Sequence, residues 1–203
     1  MAATATSHGG SQRRSSGWIV FAFLVGAAVA VLLGEYGRLH APSGQRVFSF
    51  FFSNTLTMKV WLATGGFALA LVQLFTSLRF FDVIRWPRTA PAWVVPLHRW
   101  SGAIAVLLTL PVAYHCLWSL GFSDITTRRL IHSVAGCAFY GAFVAKMLLL
   151  RTERPWPFMP SSAAPAFWPG WVFAVAGGLT FSALVALWLT SSVWFFTTVG
   201  LRF

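Results

Sequence analysis

None of the four carboxylates in this chain, Glu35, Asp82, Asp124 and Glu153, falls inside any of its five long apolar runs. A helix needs about 20 apolar residues to cross the hydrocarbon core of a bilayer. Within that core each backbone N–H and C=O must be satisfied inside the helix itself. The runs are Trp18–Gly34, Leu56–Leu78, Leu97–Leu120, Leu130–Leu150 and Trp171–Val199, and prolines and arginines punctuate their borders. The fold class that follows is an all-α integral membrane protein, a bundle of five transmembrane helices. A composition 57% hydrophobic and 9% charged, with a mean hydropathy of +0.71, agrees with it.

The runs leave little over for a soluble domain, and neither a nucleotide-binding glycine loop nor the spacing of a catalytic triad suggests one. Residues 1–16, rich in Ser, Thr, Ala and Gly, are expected as a disordered cytoplasmic leader, with residues 17–203 a single transmembrane domain. Arg13 and Arg14 ahead of the first run, and "AVA" at Ala28–Ala30, resemble a secretory signal. More apolar residues follow that triplet, so an uncleaved signal anchor is the expectation.

A net charge of +11 would suit nucleic acid in a soluble domain. Here the arginines flank apolar runs, where they set topology and meet lipid headgroups, and no nucleic-acid partner is expected. With five spans the termini lie on opposite sides. A cytoplasmic N-terminus assigns nine of the 15 Lys and Arg residues to the inner side and six to the outer. The expected location is the cell membrane, multi-pass, with the C-terminus extracytoplasmic.

Chemistry is to be sought among ionisable residues at membrane depth, which are rare and functional by default. His8 and His40 lie outside the runs; His98, His115 and His132 lie within or at the ends of the third and fourth. The short polar connection "GFSDITTRR" makes those two helices antiparallel and brings His115 and His132 to the same membrane face. Two neutral imidazoles on neighbouring helices at one depth are what a six-coordinate heme iron requires. Gly136, four residues after His132, shares its helical face and would let a flat macrocycle approach. Pro111, four before His115, would kink the third helix and open space. Arg128 and Arg129, one turn before His132, could pair with heme propionates. The plain alternative is that each histidine reaches headgroups or a carbonyl, with Gly136 serving only packing.

His98 opens the third run 17 residues before His115, rotated off its face, with no histidine level with it on the fourth run. It reads as an interfacial or structural residue and as a third candidate ligand. One heme b is therefore expected, and a second only if His98 finds a partner. At matched histidine depth, Cys137 would lie about six residues, roughly 9 Å, deeper than Cys116. That exceeds the Cα separation of about 7 Å that a disulfide tolerates.

The segments "HRWSGAIAVLLTLPVAYHCLW" and "RRLIHSVAGCAFYGAFVAKMLLLR", with "LWLTSSVWFF" in the last run, resemble the ferric reductase-like transmembrane proteins and related b-type cytochromes. The resemblance covers spans three to five, and the nearest relatives are expected among uncharacterised bacterial membrane proteins. It implies a helical bundle in which His115 and His132 hold heme b. It also implies electron transport from a membrane quinol or a redox partner protein to an acceptor, at most as the membrane cytochrome component of an oxidoreductase. The chain departs from the fuller pattern in lacking a fourth histidine and any flavin or nicotinamide domain. Two other classes remain open: an accessory subunit of a larger membrane complex without heme, and a small transporter. The absence of membrane-buried carboxylates and of an inverted repeat argues against the transporter.

Overall fold

A computed structural model describes residues 8–45, 48–85, 91–152 and 170–201. Among them there is no strand. Five helical stretches are long and apolar enough to cross a membrane: residues 17–39, 55–80, 94–120, 127–151 and 170–198. Each lies within a few residues of the run read from sequence, because length and hydropathy alone decide such segments. The chain is an all-α, multi-pass membrane protein.

Helix α1 spans His8–Leu39. It thus begins inside the expected leader, of which residues 1–7 lie outside the described residues, and it continues past Glu35 to Leu39. Extension in either direction is cheap once a helix exists, since each added residue brings one backbone bond. Arg38 in its last turn complements the helix dipole. Helix α2 spans Thr55–Phe80, and Asn54 caps it by accepting the Thr57 N–H at 2.9 Å. Helix α3, Val94–His115, passes through Pro111 and widens into a π turn at Cys116–Leu120. Helix α4 spans Thr127–Thr152. Helix α5, Gly170–Trp188, enters a second π turn at Leu189–Val193 and ends in the short helix α6, Trp194–Thr198.

The chain forms two compact units whose border falls within α1, α4 and α5. The first comprises residues 1–32 and 137–180. Its core is Ala22, Leu149, Val172 and Ala176, with Trp18, Ile19, Phe23, Leu148 and Phe173 packed around it. Here α1 and α4 touch backbone to backbone. A Cβ added at Gly26 would stand 2.5 Å from the Gly141 carbonyl oxygen, and one at Gly141 would stand 2.9 Å from the Ala30 Cβ. Small residues at such crossings are how membrane helices gain contact where lipid is as apolar as leucine.

The second unit, residues 33–136 and 181–203, carries the histidines. Helices α2 and α3 pack along small and polar residues. Gly66 lies against the Ala105 carbonyl and Thr109, and the Gln73 amide donates to Ser101 Oγ at 2.7 Å and to the His98 carbonyl. The end of α5 is bonded to α2 as well. Trp188 stacks on Phe67 at 4.3 Å and donates to Thr64 at 3.2 Å, and Ser192 donates to the Val60 carbonyl at 3.1 Å.

Candidate functional site

His115 is the last residue of α3 and is buried, only 7% exposed. The connection to α4 is tied down by Ser133, whose hydroxyl accepts the Ser123 N–H at 3.1 Å and lies 3.2 Å from the Ser123 carbonyl. That tie places half-buried His132 on the second turn of α4. Both imidazoles lie within electrostatic reach of one ammonium, that of Lys59 on the second turn of α2. Lys59 Nζ also approaches Cys116 Sγ at 3.9 Å. Cys116 and Cys137 are free thiols.

His132 is oriented from α5. Its Nδ1 stands 3.0 Å from Thr190 Oγ1, and Thr190 Oγ1 lies 2.6 Å from the Ala186 carbonyl. A hydroxyl has one proton to give and two lone pairs to offer. With that proton on Ala186, Thr190 accepts at Nδ1, the tautomer in which Nε2 of a neutral ring carries the lone pair. A metal-ligating histidine is held in this way by its other nitrogen. His115 presents a different feature: its Nδ1 is buried without a hydrogen-bond partner. A buried nitrogen left so costs stability unless something supplies the bond.

Both π turns border this site. The first follows His115 directly, and the second contains Thr190. A π turn displaces carbonyls from the regular ladder, and here they find partners outside the helix. Arg128 Nη1 donates to the Thr190 carbonyl at 2.7 Å, while its guanidinium lies 4.0 Å from the centre of the Trp194 ring. At the first π turn, the amides of Ser43 and Gly44 take the carbonyls of Trp118 and Ser119, and Ser119 Oγ donates to the Gln45 carbonyl at 2.7 Å.

The sequence-derived site thus comes together in part. His115 and His132 both lie within electrostatic reach of Lys59. Arg128 is engaged with α5 through Thr190 and Trp194, and Arg129 is exposed. Gly136 faces α5, where a Cβ would meet Leu187 at an ordinary 3.8 Å, so no close approach requires glycine there. His98 belongs elsewhere. Its Nδ1 lies 2.7 Å from Thr76 Oγ1 and its ring meets Phe80 edge-on at 5.1 Å, an α2–α3 contact at the far end of α3. Sequence reasoning missed Lys59 and Thr190. Lys59 had a signal, being the one charged residue inside the second apolar run. Thr190 had none, since its partner lies 58 residues away.

Residues 19–203 match a family of unknown function, DUF6529. The chain belongs to the DUF6529 family. No curated protein and no solved structure matches it significantly. The match covers nearly all of the first span and the whole of the other four, so the site lies within the part common to DUF6529 proteins. The DUF6529 match carries no activity with it. Among the described residues no group of three or more His, Cys, Asp or Glu side chains could hold a bare metal ion. The pair of imidazoles with Lys59 is the donor set to explain.

Proposed function

We propose that this protein binds one heme b through His115 and His132 near one membrane face and serves as an electron-transfer component of the cell membrane. What supports the reading is the presence of two imidazoles of complementary kind, one at the end of α3 and one near the start of α4. His132 has its Nδ1 within hydrogen-bond distance of Thr190, which would leave Nε2 as the ligating nitrogen, and His115 is buried with an unpartnered Nδ1. A donor set of two neutral nitrogens, without carboxylate or thiolate, suits a group that brings four ligands of its own. Bound heme would supply one-electron redox chemistry at that point. The chain's own residues orient one imidazole through Thr190, bury the other at His115 and bring a positive charge, Lys59, within electrostatic reach of both. With Arg128 engaged by α5, Lys59 and Arg129 are the cations that remain for propionates. The electron donor would be a quinol or a redox partner protein, and a cytoplasmic N-terminus would put the site on the extracytoplasmic side.

The test is a reduced-minus-oxidised spectrum of the detergent-purified full chain from heme-sufficient cells, with a pyridine hemochromogen assay for stoichiometry. A b-type spectrum at one heme per chain, lost in His115→Ala and in His132→Ala but kept in His98→Ala, is the expected result. A colourless wild type, or a spectrum that survives both ligand substitutions, overturns it.

A further inference from the structure

A lysine inside a membrane span is costly and is kept where its charge has a use. Lys59 is the one charged residue of the second apolar run, and its side chain is half-buried on the second turn of α2. Its ammonium donates to the Cys116 sulfur at 3.9 Å. Cys116 follows His115 directly and opens the first π turn, so this contact holds the charge against the residue next to one imidazole. A thiol is a weak acceptor and does not neutralise a cation. Among the described residues, the charge acting on His115 is that of Lys59, and those acting on His132 are Lys59 and Arg128; no carboxylate is among them. Arg128 is already engaged by the Thr190 carbonyl and the Trp194 ring. Lys59 is therefore the cation common to both imidazoles, in surroundings of low dielectric constant where a charge is felt farther than in water.

Resting on the heme reading above, we infer that Lys59 sets the redox poise of the histidine pair, favouring the reduced state, and that Cys116 keeps the ammonium in place to do so. Reduction adds one electron and turns ferric iron ferrous; no bond forms or breaks, no proton moves, and the positive charge at the iron falls by one. A neighbouring cation disfavours the more positive state, so it eases the uptake of the electron and raises the potential. A unit charge roughly 10 Å from a redox centre, at an effective dielectric constant of about 20, changes a one-electron equilibrium by roughly tenfold. Lys59 acts in this through its field alone and needs no contact with the iron or with an electron donor.

The experiment is a potentiometric titration of the full chain in detergent, purified from heme-sufficient cells, with dithionite as reductant and the b-type absorption band as readout. Lys59→Met should keep that band and show a midpoint potential about 59 mV below wild type, the equivalent of a tenfold change in a one-electron equilibrium. Lys59→Arg, which keeps the charge, should stay near the wild-type potential. Arg99→Met removes an exposed charge 16 residues before His115 on α3, about 24 Å away along the helix, and should leave the potential unmoved. Should Lys59→Met fail to fold or to take up heme, Cys116→Asp sets a carboxylate against the same ammonium, and a fall of similar size is expected. Heme bound at the wild-type potential in Lys59→Met, or in Cys116→Asp where that variant stands in, overturns the inference and leaves the heme reading intact. A potential as low in Lys59→Arg as in Lys59→Met also overturns it, because charge would then not be the cause. A wild type without a b-type spectrum overturns both.

Discussion

At the scale of single residues, Thr190 and Gly141 hold positions that no conservative replacement fills. Thr190→Val keeps the shape of the side chain and removes the acceptor that fixes the His132 ring. If the histidines hold heme, affinity for it should fall about tenfold or more, as when the outer partner of a ligand is lost. Titration of heme into the apo-protein measures this, and Thr180→Val, whose hydroxyl only caps the Ala176 carbonyl, should leave affinity unchanged. Gly141→Ala pushes a methyl group against the Gly26 carbonyl and the Ala30 Cβ, neither of which is a flexible side-chain end. The expected cost is about 1–3 kcal/mol, read as a lower melting temperature in detergent. Gly177→Ala is the matched comparison: nothing lies within 4 Å of the added Cβ, so a gain of up to about 1 kcal/mol from helix propensity is expected.

At the scale of elements, the spans were legible in the sequence because run length and charge exclusion are local properties. The same reasoning located His115 and His132 at one end of α3 and α4. It could not find the π turns. Neither "CLWSL" nor "LTSSV" carries a local mark for a wider turn. What stabilises each is remote: the loop at Ser43 and Gly44 for one, Arg128 on α4 for the other. That is why Arg128 reads from sequence as a partner for propionates yet lies in the structure against the Thr190 carbonyl and the Trp194 ring. Lysine cannot reproduce both the planar stack and the directed donor. Arg128→Lys should therefore melt at a lower temperature than wild type, by the equivalent of about 1–2 kcal/mol. A melting temperature equal to wild type would show that Arg128 does not hold the second π turn.

At the scale of the whole molecule, the orientation proposed from the arginine distribution, with a cytoplasmic N-terminus and the C-terminus on the other side, is open to a direct test. Single cysteines test this in a background lacking Cys116 and Cys137. With Ala41→Cys and Val83→Cys, an impermeant maleimide should label position 41 in intact cells and position 83 only after permeabilisation. The reverse pattern inverts the orientation and moves the histidine pair to the cytoplasmic face. Position 41 also opens the segment fastened to the first π turn. Extramembrane loops are ordinarily where a chain accepts added residues, because their backbone is solvated. This one spends the amides of Ser43 and Gly44, and the Gln45 carbonyl, on the turn that follows His115. Lengthening the loop would therefore act at a distance: an insertion at its tip, touching neither histidine, would release the carbonyls of Trp118 and Ser119 and loosen the end of the helix that carries one of them.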